Sequence, residues 1–226
     1  MVALFVRKAQ WMCFPSLDRT TSDVKAVYTL AWRFTDVPSD AWTTRVNNFK
    51  ANIQAAIIGA AFTLREALPP LIREMKWDEN ETAVTAALSS GDNKINLMKP
   101  MPMVASKLAG RFGLKWLPNL LTKQAHKPLH NMSNGADRTA EIDKASYQAT
   151  ALPGETKRVL VFDDLATRGQ TLSAIAAAIR KNSPKVEVVG IALGKTERCG
   201  YAASSGQDLS NDHVPVTWAK IWDTKR

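Results

Sequence analysis

The chain has 226 residues, 45% of them hydrophobic, which suffices for one ordinary core or a main domain with a small covering region. Its formal net charge of +9 favours anionic partners such as phosphorylated metabolites or nucleic acid. The longest apolar run, residues 55–62, falls short of the ~20 residues that a bilayer span requires, and the early charges do not fit a signal peptide. Cys13 and Cys199 have no partner at metal-ligand spacing. We therefore expect a cytoplasmic protein with no membrane association, no disulfide framework and no metal site of its own.

The first 80 residues predict a mostly helical packing region. Apolar side chains recur every three or four positions through residues 43–68, which predicts one amphipathic helix ended by Pro69 and Pro70. Upstream, residues 24–34 are mostly apolar and aromatic, so they form a second buried element. Their pattern fits a helix or a strand, and both assignments stay open.

Residues 81–226 predict the main domain. The short apolar segment 82–88 predicts a strand, because a cluster of turn-forming residues follows it. Residues 103–113 predict a helix that stops at Gly113, a common C-terminal signal. Residues 115–121 then predict a second short strand.

The chain becomes polar from residue 122 to 151, where bulky apolar side chains are few. A stretch of this kind inside a compact domain is typical of a working loop, so we interpret it as a candidate lid. Lys123, Lys127 and Arg138 are either solvated surface charges or groups that close over an anionic ligand. The sequence leaves these two alternatives open.

A strand, a helix and a strand follow in close succession. Residues 158–162 (RVLVF) predict a fully buried strand, residues 169–182 an alanine-rich helix with cations in its last turn, and residues 185–193 another apolar strand. This spacing predicts a right-handed parallel crossover. The fold class is therefore α/β with a parallel sheet.

Two adjacent acids, Asp163 and Asp164, come directly after the first of these strands. Ligands of parallel sheets gather at the carboxyl ends of the strands, and the following turn offers backbone N–H groups, hydroxyls and a helix N-terminus to a phosphate. The turn consists of Ala166, Thr167, Arg168, Gly169, Gln170 and Thr171. Because carboxylates repel phosphate, the acids would face sugar hydroxyls or a cation carried by the ligand, which indicates a phosphorylated sugar. The alternative is that the acids merely cap the helix.

Residues 159–172, VLVFDDLATRGQTL, resemble the phosphoribosyl-pyrophosphate signature of type I phosphoribosyltransferases. The resemblance implies a parallel-sheet core with helices on both faces and a variable N-terminal hood. It also implies that Asp163 and Asp164 hold the ribose 2- and 3-hydroxyls, while the turn from Ala166 to Thr171 binds the 5-phosphate. Arg168 and Gln170 depart from the family pattern, and Arg168 either strengthens phosphate binding or fills the pocket.

The order of elements over residues 82–198 is similar to the competence-associated ComF-like branch of that family. In the family, the loop after the first strand binds pyrophosphate, which by position falls on Ser89, Ser90 and Gly91. Lys123 and Arg138 stand near the basic positions of the family's variable loop. The resemblance thus implies Asp163, Asp164 and Arg138 as catalytic residues, Lys123 as a substrate ligand, and Mg²⁺ carried in with phosphoribosyl pyrophosphate.

Three functions follow as hypotheses. The first is transfer of the phosphoribosyl group from phosphoribosyl pyrophosphate to a nitrogen base with release of pyrophosphate. The second is a non-catalytic sensor of the same ligand, and the third is a nucleic-acid-associated accessory of DNA uptake or defence. By elimination, base recognition falls to residues 1–80 or 213–222. A protein partner or a homodimer is compatible with all three hypotheses.

Overall fold

The computed structural model describes residues 5–18, 20–125, 135–203 and 214–224, apart from the side chains of residues 135–139. Its strands are β1 (Val6–Lys8), β2 (Trp11–Phe14), β3 (Val24–Phe34), β4 (Thr82–Ala86), β5 (Lys115–Trp116), β6 (Leu121–Thr122), β7 (Gln148–Ala149), β8 (Arg158–Ala166) and β9 (Glu187–Glu197). Its helices are α1 (Ala41–Lys50), α2 (Gln54–Glu74), α3 (Pro100–Arg111), α4 (Gly135–Ala145), α5 (Gln170–Asn182), α6 (Cys199–Ala203) and α7 (Val216–Thr224).

Seven strands form one sheet in the order β1-β2-β3-β9-β8-β4-β5. The five strands from β3 to β5 are parallel to their neighbours, and β1 and β2 add an antiparallel edge. Helices α1, α2, α3 and α7 bury their apolar side chains on one face, and α5 covers the other. The α/β class and the helices on both faces are confirmed, although the antiparallel edge makes the sheet mixed.

Residues 24–34 form a strand, β3, which settles the alternative that the sequence left open. A strand between two helical layers must be apolar on both faces. Tyr28 and Trp32 meet this need from opposite faces, with exposed fractions of 2% and 0%. Because β3 pairs with β9, the predicted boundary at residue 80 does not coincide with a break in the sheet.

The single helix predicted over residues 43–68 is wrong, because the chain forms α1 and α2 there. Asp40 caps α1, its carboxylate accepting the backbone N–H of Thr43 at 2.7 Å. Asn52 then adopts a left-handed φ of 60°, which ends the helical path before α2 begins. A residue that tolerates this conformation is what separates the two helices.

The prediction that Pro69 and Pro70 end the helix is also wrong, since α2 continues through both to Glu74. Proline removes a donor from the helical hydrogen-bond ladder and costs roughly 3 kcal/mol in an ordinary helix interior. Leu68 and Leu71, both 0% exposed, flank the prolines, so burial of this turn holds the helix.

Helix α2 is also long and apolar enough to cross a membrane by length and composition. The apolar run noted in the sequence, residues 55–62, covers only part of this helix. In the structure, 56% of the apolar window of α2 is buried, and the helix packs against α1, α3 and α7. This burial is what a core helix shows.

With one exception, the remaining predicted elements are confirmed with changed bounds. The strand expected at 82–88 is β4, and the helix expected at 103–113 is α3. The single strand expected at 115–121 is wrong: only Lys115 and Trp116 form β5, and Leu121 begins β6, which belongs to a different sheet. The strand, helix and strand of the signature region are β8, α5 and β9, and β8 and β9 are parallel neighbours. Both of these strands run further than expected, to residues 166 and 197.

Three neighbouring strands share an irregularity at one level of the sheet. Leu193 of β9 has no paired residue in either neighbouring strand. The residues at its level are Leu30 of β3 and Asp164 of β8, and neither of them is paired with it. Leu30 faces α1 and α2, yet Trp32, two residues later, lies on the α5 side. The side chains of β3 therefore change faces of the sheet between Leu30 and Trp32. At the carboxyl edge of the sheet, the Lys195 ammonium lies 5.9 Å from the centre of the Trp32 ring.

Candidate functional site

Asp163 and Asp164 lie within the C-terminal part of strand β8 rather than after it. Pairing of Leu165 with Gly194 keeps the strand extended beyond the acids. The Asp163 carboxylate accepts the backbone N–H of Asp164 at 2.8 Å. The Asp164 carboxylate forms an ion pair with the ammonium of Lys50, at the end of α1, at 3.2 Å. The two acids therefore point to different surroundings.

Burial raises the pKa of Asp163 well above its ordinary value, and the negative charge of Asp164 raises it further. Lys50 acts in the opposite direction but does not cancel these effects. The arrangement favours the protonated form of Asp163, next to the Asp164 carboxylate that pairs with Lys50. Such a pair presents one donor and several acceptors, which suits neighbouring hydroxyl groups of a ligand.

Tyr147, between α4 and β7, brings a third polar group to the acids. Its hydroxyl is buried and has no hydrogen-bond partner among the described residues. Burial and the charge of Asp163 raise the pKa of Tyr147, so the phenol keeps its proton. An unsatisfied buried hydroxyl costs free energy, and a bound polar ligand would remove that cost.

The predicted phosphate-binding turn follows directly. Gly169 caps α5 with a left-handed φ of 84°, while Thr167 and Arg168 are exposed. Leu17, Thr20 and Thr21 cover the glycine side of the turn. Thr20 stands where a Gly169 side chain would be, and the Thr21 N–H donates to the Ser173 hydroxyl at 3.0 Å. The turn is open on the side of Thr167 and Arg168 and covered on the other, so Arg168 lies at the surface.

The predicted pyrophosphate loop contacts the predicted lid. The Lys123 ammonium donates to the carbonyl of Ser90 at 2.9 Å, whereas Ser89 and Gly91 are exposed. Burial lowers the pKa of Lys123, although Asp92 opposes this effect. The Ala87 N–H donates to the Phe162 carbonyl at 2.8 Å, which fixes the start of the loop beside the residue that precedes Asp163.

The predicted lid is partly regular. Strands β6 and β7 form a separate antiparallel pair, and α4 occupies residues 135–145. Arg138 belongs to α4, but its side chain lies outside the described residues, as does the whole of residues 126–134. Its catalytic role stays a prediction. Glu141 of α4 is 6% exposed and pairs with Lys144 at 3.1 Å.

Sequence reasoning missed Lys50, Tyr147 and Lys195. Lys195, only 4% exposed, donates to the Thr196 carbonyl at 3.0 Å and to the Glu197 carboxylate at 3.3 Å. Burial lowers the pKa of Lys195, Glu197 opposes that shift, and the nearby Arg168 adds to it. The sequence did contain a clue to Lys195, because this lysine lies two residues after the predicted apolar strand 185–193, and that strand runs parallel to β8. Nothing in the pattern pointed to the other two.

Among the described residues, no three His, Cys, Asp or Glu side chains come together as a metal site. A divalent cation at Asp163 and Asp164 would have to complete its oxygen coordination with atoms of a ligand. This fits a cation that arrives with a diphosphate.

A cavity of about 550 Å³ lies away from the acids, between α1 and α7. Its lining includes Trp42, Val214 and Val216, together with Arg45, whose Nε donates to the Asp223 carboxylate at 3.0 Å. It thus takes in part of residues 213–222, one of the two segments left for base recognition. That role stays a prediction.

Asp163→Asn should raise the free energy of unfolding at pH 7 by about 1 kcal/mol or more, a common size for one substitution. The raised pKa means that folded Asp163 keeps a proton which the unfolded chain releases. This stabilisation is complete below about pH 4, the unfolded pKa, and is lost as the pH rises through the folded pKa. Urea unfolding between pH 4 and 8 should show the variant's advantage growing with pH. An advantage independent of pH would contradict the expectation.

Comparison with known proteins gives no relative: no protein-family model matches the chain, and no curated protein matches it.

Proposed function

We propose that the chain binds phosphoribosyl pyrophosphate at the carboxyl edge of its sheet and transfers the phosphoribosyl group to a nitrogen base. One observation carries the proposal. Two adjacent carboxyl groups, Asp163 and Asp164, lie in the C-terminal part of the interior parallel strand β8, and a turn with a left-handed Gly169 leads from that strand into α5. We also propose that the chain has the type I phosphoribosyltransferase-like fold that its signature implies.

The acids are assigned to the ribose. An ionised Asp164 accepts hydrogen bonds from a sugar hydroxyl, while Asp163 can donate or accept according to its proton. The Lys50 ammonium, 3.2 Å from Asp164, keeps that charge balanced in the absence of ligand. A vicinal diol would thus meet two carboxyl groups in different protonation states.

The 5-phosphate is assigned to the turn from Ala166 to Thr171. Its supports are the N-terminal end of α5, the hydroxyls of Thr167 and Thr171, and the exposed guanidinium of Arg168. Lys195 adds a second positive charge close to Arg168. Lys195 is paired with Glu197, so Arg168 is the cation of this turn that can offset the repulsion between the two acids and a phosphate.

The pyrophosphate is assigned to Ser89, Ser90 and Gly91, with the Lys123 ammonium and ligand-borne Mg²⁺ balancing its charge. In the reaction, the bond from the anomeric carbon to the pyrophosphate oxygen breaks and a bond to the base nitrogen forms. Positive charge develops on the sugar, so fixed carboxylates and a held leaving group stabilise the transition state. The buried Tyr147 hydroxyl, which interacts electrostatically with Asp163, is a further group that a bound ligand could contact.

A pyrophosphate-release assay with phosphoribosyl pyrophosphate, Mg²⁺ and a panel of purine, pyrimidine and pyridine bases tests this function. At least one base should give turnover, and Lys123→Met should reduce it about tenfold or more, because a positive charge on the leaving group is lost. Lys185→Met, at an exposed site before β9, is the matched control and should leave turnover unchanged. Absence of both binding and turnover in the unaltered protein would refute the proposal.

A second candidate function is ligand sensing without catalysis. Leu17 and Thr20 cover one side of the turn, and Thr20 fills the space beside Gly169. Arg168 and Gln170 depart from the family pattern in the same turn. Binding measured by calorimetry without turnover of any base would favour this candidate.

A further inference from the structure

Charge is distributed unevenly along the chain. From Asn93 to Ala136 the sequence contains no Asp or Glu, although it contains seven Lys and Arg residues. Five of these cations fall on α3 and on the segments that immediately flank it: Lys94, Lys99, Lys107, Arg111 and Lys115.

Two of these cations share a face of α3 and three lie before or after it; we refer to the five together as the row. Lys107 and Arg111 are exposed and four residues apart, so they share one face of α3. Lys94 and Lys99 precede the helix, and Lys115 follows it on β5, the last strand of the sheet. With ~1.5 Å per residue, the 12 residues of α3 separate the two ends of the row by roughly 18 Å.

Among the described residues, none of these five cations takes part in an ion pair. Cations elsewhere are often neutralised: Lys157 pairs with Glu81, Arg158 with Glu187, and Arg180 with Asp23. The positive field of the row is therefore not cancelled by a close carboxylate.

Apolar side chains lie among the cations. Met98 is 89% exposed and Leu97 is 49% exposed, while Phe112 and Trp116 are partly buried beside Arg111 and Lys115. Alternation of cations with aromatic and apolar groups is typical of proteins that bind single-stranded nucleic acid, whose phosphates and unpaired bases need both.

We propose that this row, the α3 surface formed by residues 94–99, 107, 111, 112, 115 and 116, binds single-stranded nucleic acid. Its cations contact the phosphates, and Met98, Phe112 and Trp116 contact bases. A membrane surface fits less well, because a membrane-bound helix needs a free apolar face and α3 buries its own in the core. The proposal does not depend on phosphoribosyl transfer.

Fluorescence anisotropy with a labelled 20-nucleotide single-stranded DNA tests the proposal on the full chain. Lys107→Glu with Arg111→Glu should raise the Kd at 100 mM salt about tenfold or more. The slope of log K against log salt should become shallower by roughly 1.4, because each phosphate contact on a single strand contributes ~0.7.

The matched control is Lys25→Glu with Lys185→Glu, which makes the same change in charge at exposed positions at the start of β3 and just before β9. At least two strands, β8 and β4, separate β3 and β9 from β5. It should change the Kd by less than about threefold. Equal weakening by both pairs would overturn the proposal in favour of a diffuse field. No binding by the unaltered protein, or binding only to vesicles with anionic lipid, would overturn it too.

Discussion

Replacing Asp163 and Asp164 together by asparagine should weaken binding of phosphoribosyl pyrophosphate with Mg²⁺ by 100-fold or more. That loss corresponds to about 2.7 kcal/mol, a reasonable sum for charge-assisted hydrogen bonds to two hydroxyls. The amide side chains keep the size of the carboxyls, and an amide at position 163 retains an oxygen that can accept the backbone N–H of the next residue. Isothermal titration calorimetry provides the measurement.

The control for this experiment is another adjacent acidic pair, Asp78 and Glu79. Both are exposed, and they precede β4, so they lie near the amino ends of the parallel strands, whereas Asp163 and Asp164 lie near the carboxyl ends. Asp78→Asn with Glu79→Gln removes the same charge and should leave the affinity within about twofold. Circular dichroism should show both double variants folded. Unchanged affinity in the Asp163 and Asp164 variant would rule out the assigned site.

Gly169→Ala should destabilise the protein by about 3 kcal/mol. A side chain at a φ of 84° costs roughly 1–2 kcal/mol, and its Cβ would collide with Thr20. Accommodating a group in a packed site adds a typical 1–3 kcal/mol. In a chain of this size, 3 kcal/mol lowers Tm by about 6–12 °C. Differential scanning calorimetry gives this shift directly.

Two further variants separate the causes. Gly110→Ala, in α3 with open space around it, should stabilise the helix by roughly 0.5–1 kcal/mol. Adding Thr20→Ser to Gly169→Ala removes the colliding methyl and keeps the hydroxyl that accepts the Leu17 N–H, so part of the lost Tm should return. If Gly169→Ala left Tm unchanged, Leu17 and Thr20 would not be packed on the turn.

The signature region could be predicted from its sequence because several patterns agreed. Unbroken apolar runs marked β8 and β9, periodic apolar residues marked α5, and glycine marked the turn. The strand bounds were less accurate. Pairing between Ala166 and Lys195 extends both strands, and no local pattern announces such a contact.

The errors in the N-terminal part have a common cause. Pro69 and Pro70 disfavour a helix locally, and only their burial next to Leu68 and Leu71 explains why α2 continues. Likewise, the strand form of residues 24–34 depends on the distant partner β9. Tertiary contacts decided both cases, and a single sequence does not reveal them.

The candidate site was predicted in its acids and turn but not in its surroundings. Lys50 reaches Asp164 from α1 across a sequence distance of more than a hundred residues, and Tyr147 approaches Asp163 from the predicted lid. The cover over Gly169 comes from Leu17 and Thr20. These groups determine the net charge of the site and how a ligand can enter it.

The place of β3 inside the sheet has a consequence for biosynthesis. Its neighbour β9 lies about 150 residues later in the chain, so a ribosome adding roughly 5–20 residues per second exposes β3 for about 8–30 s before that neighbour emerges. During this interval Tyr28 and Trp32 have no β9 to cover them. The nascent chain is therefore expected to need chaperone protection, and truncation before β9 should give aggregates rather than a smaller folded protein.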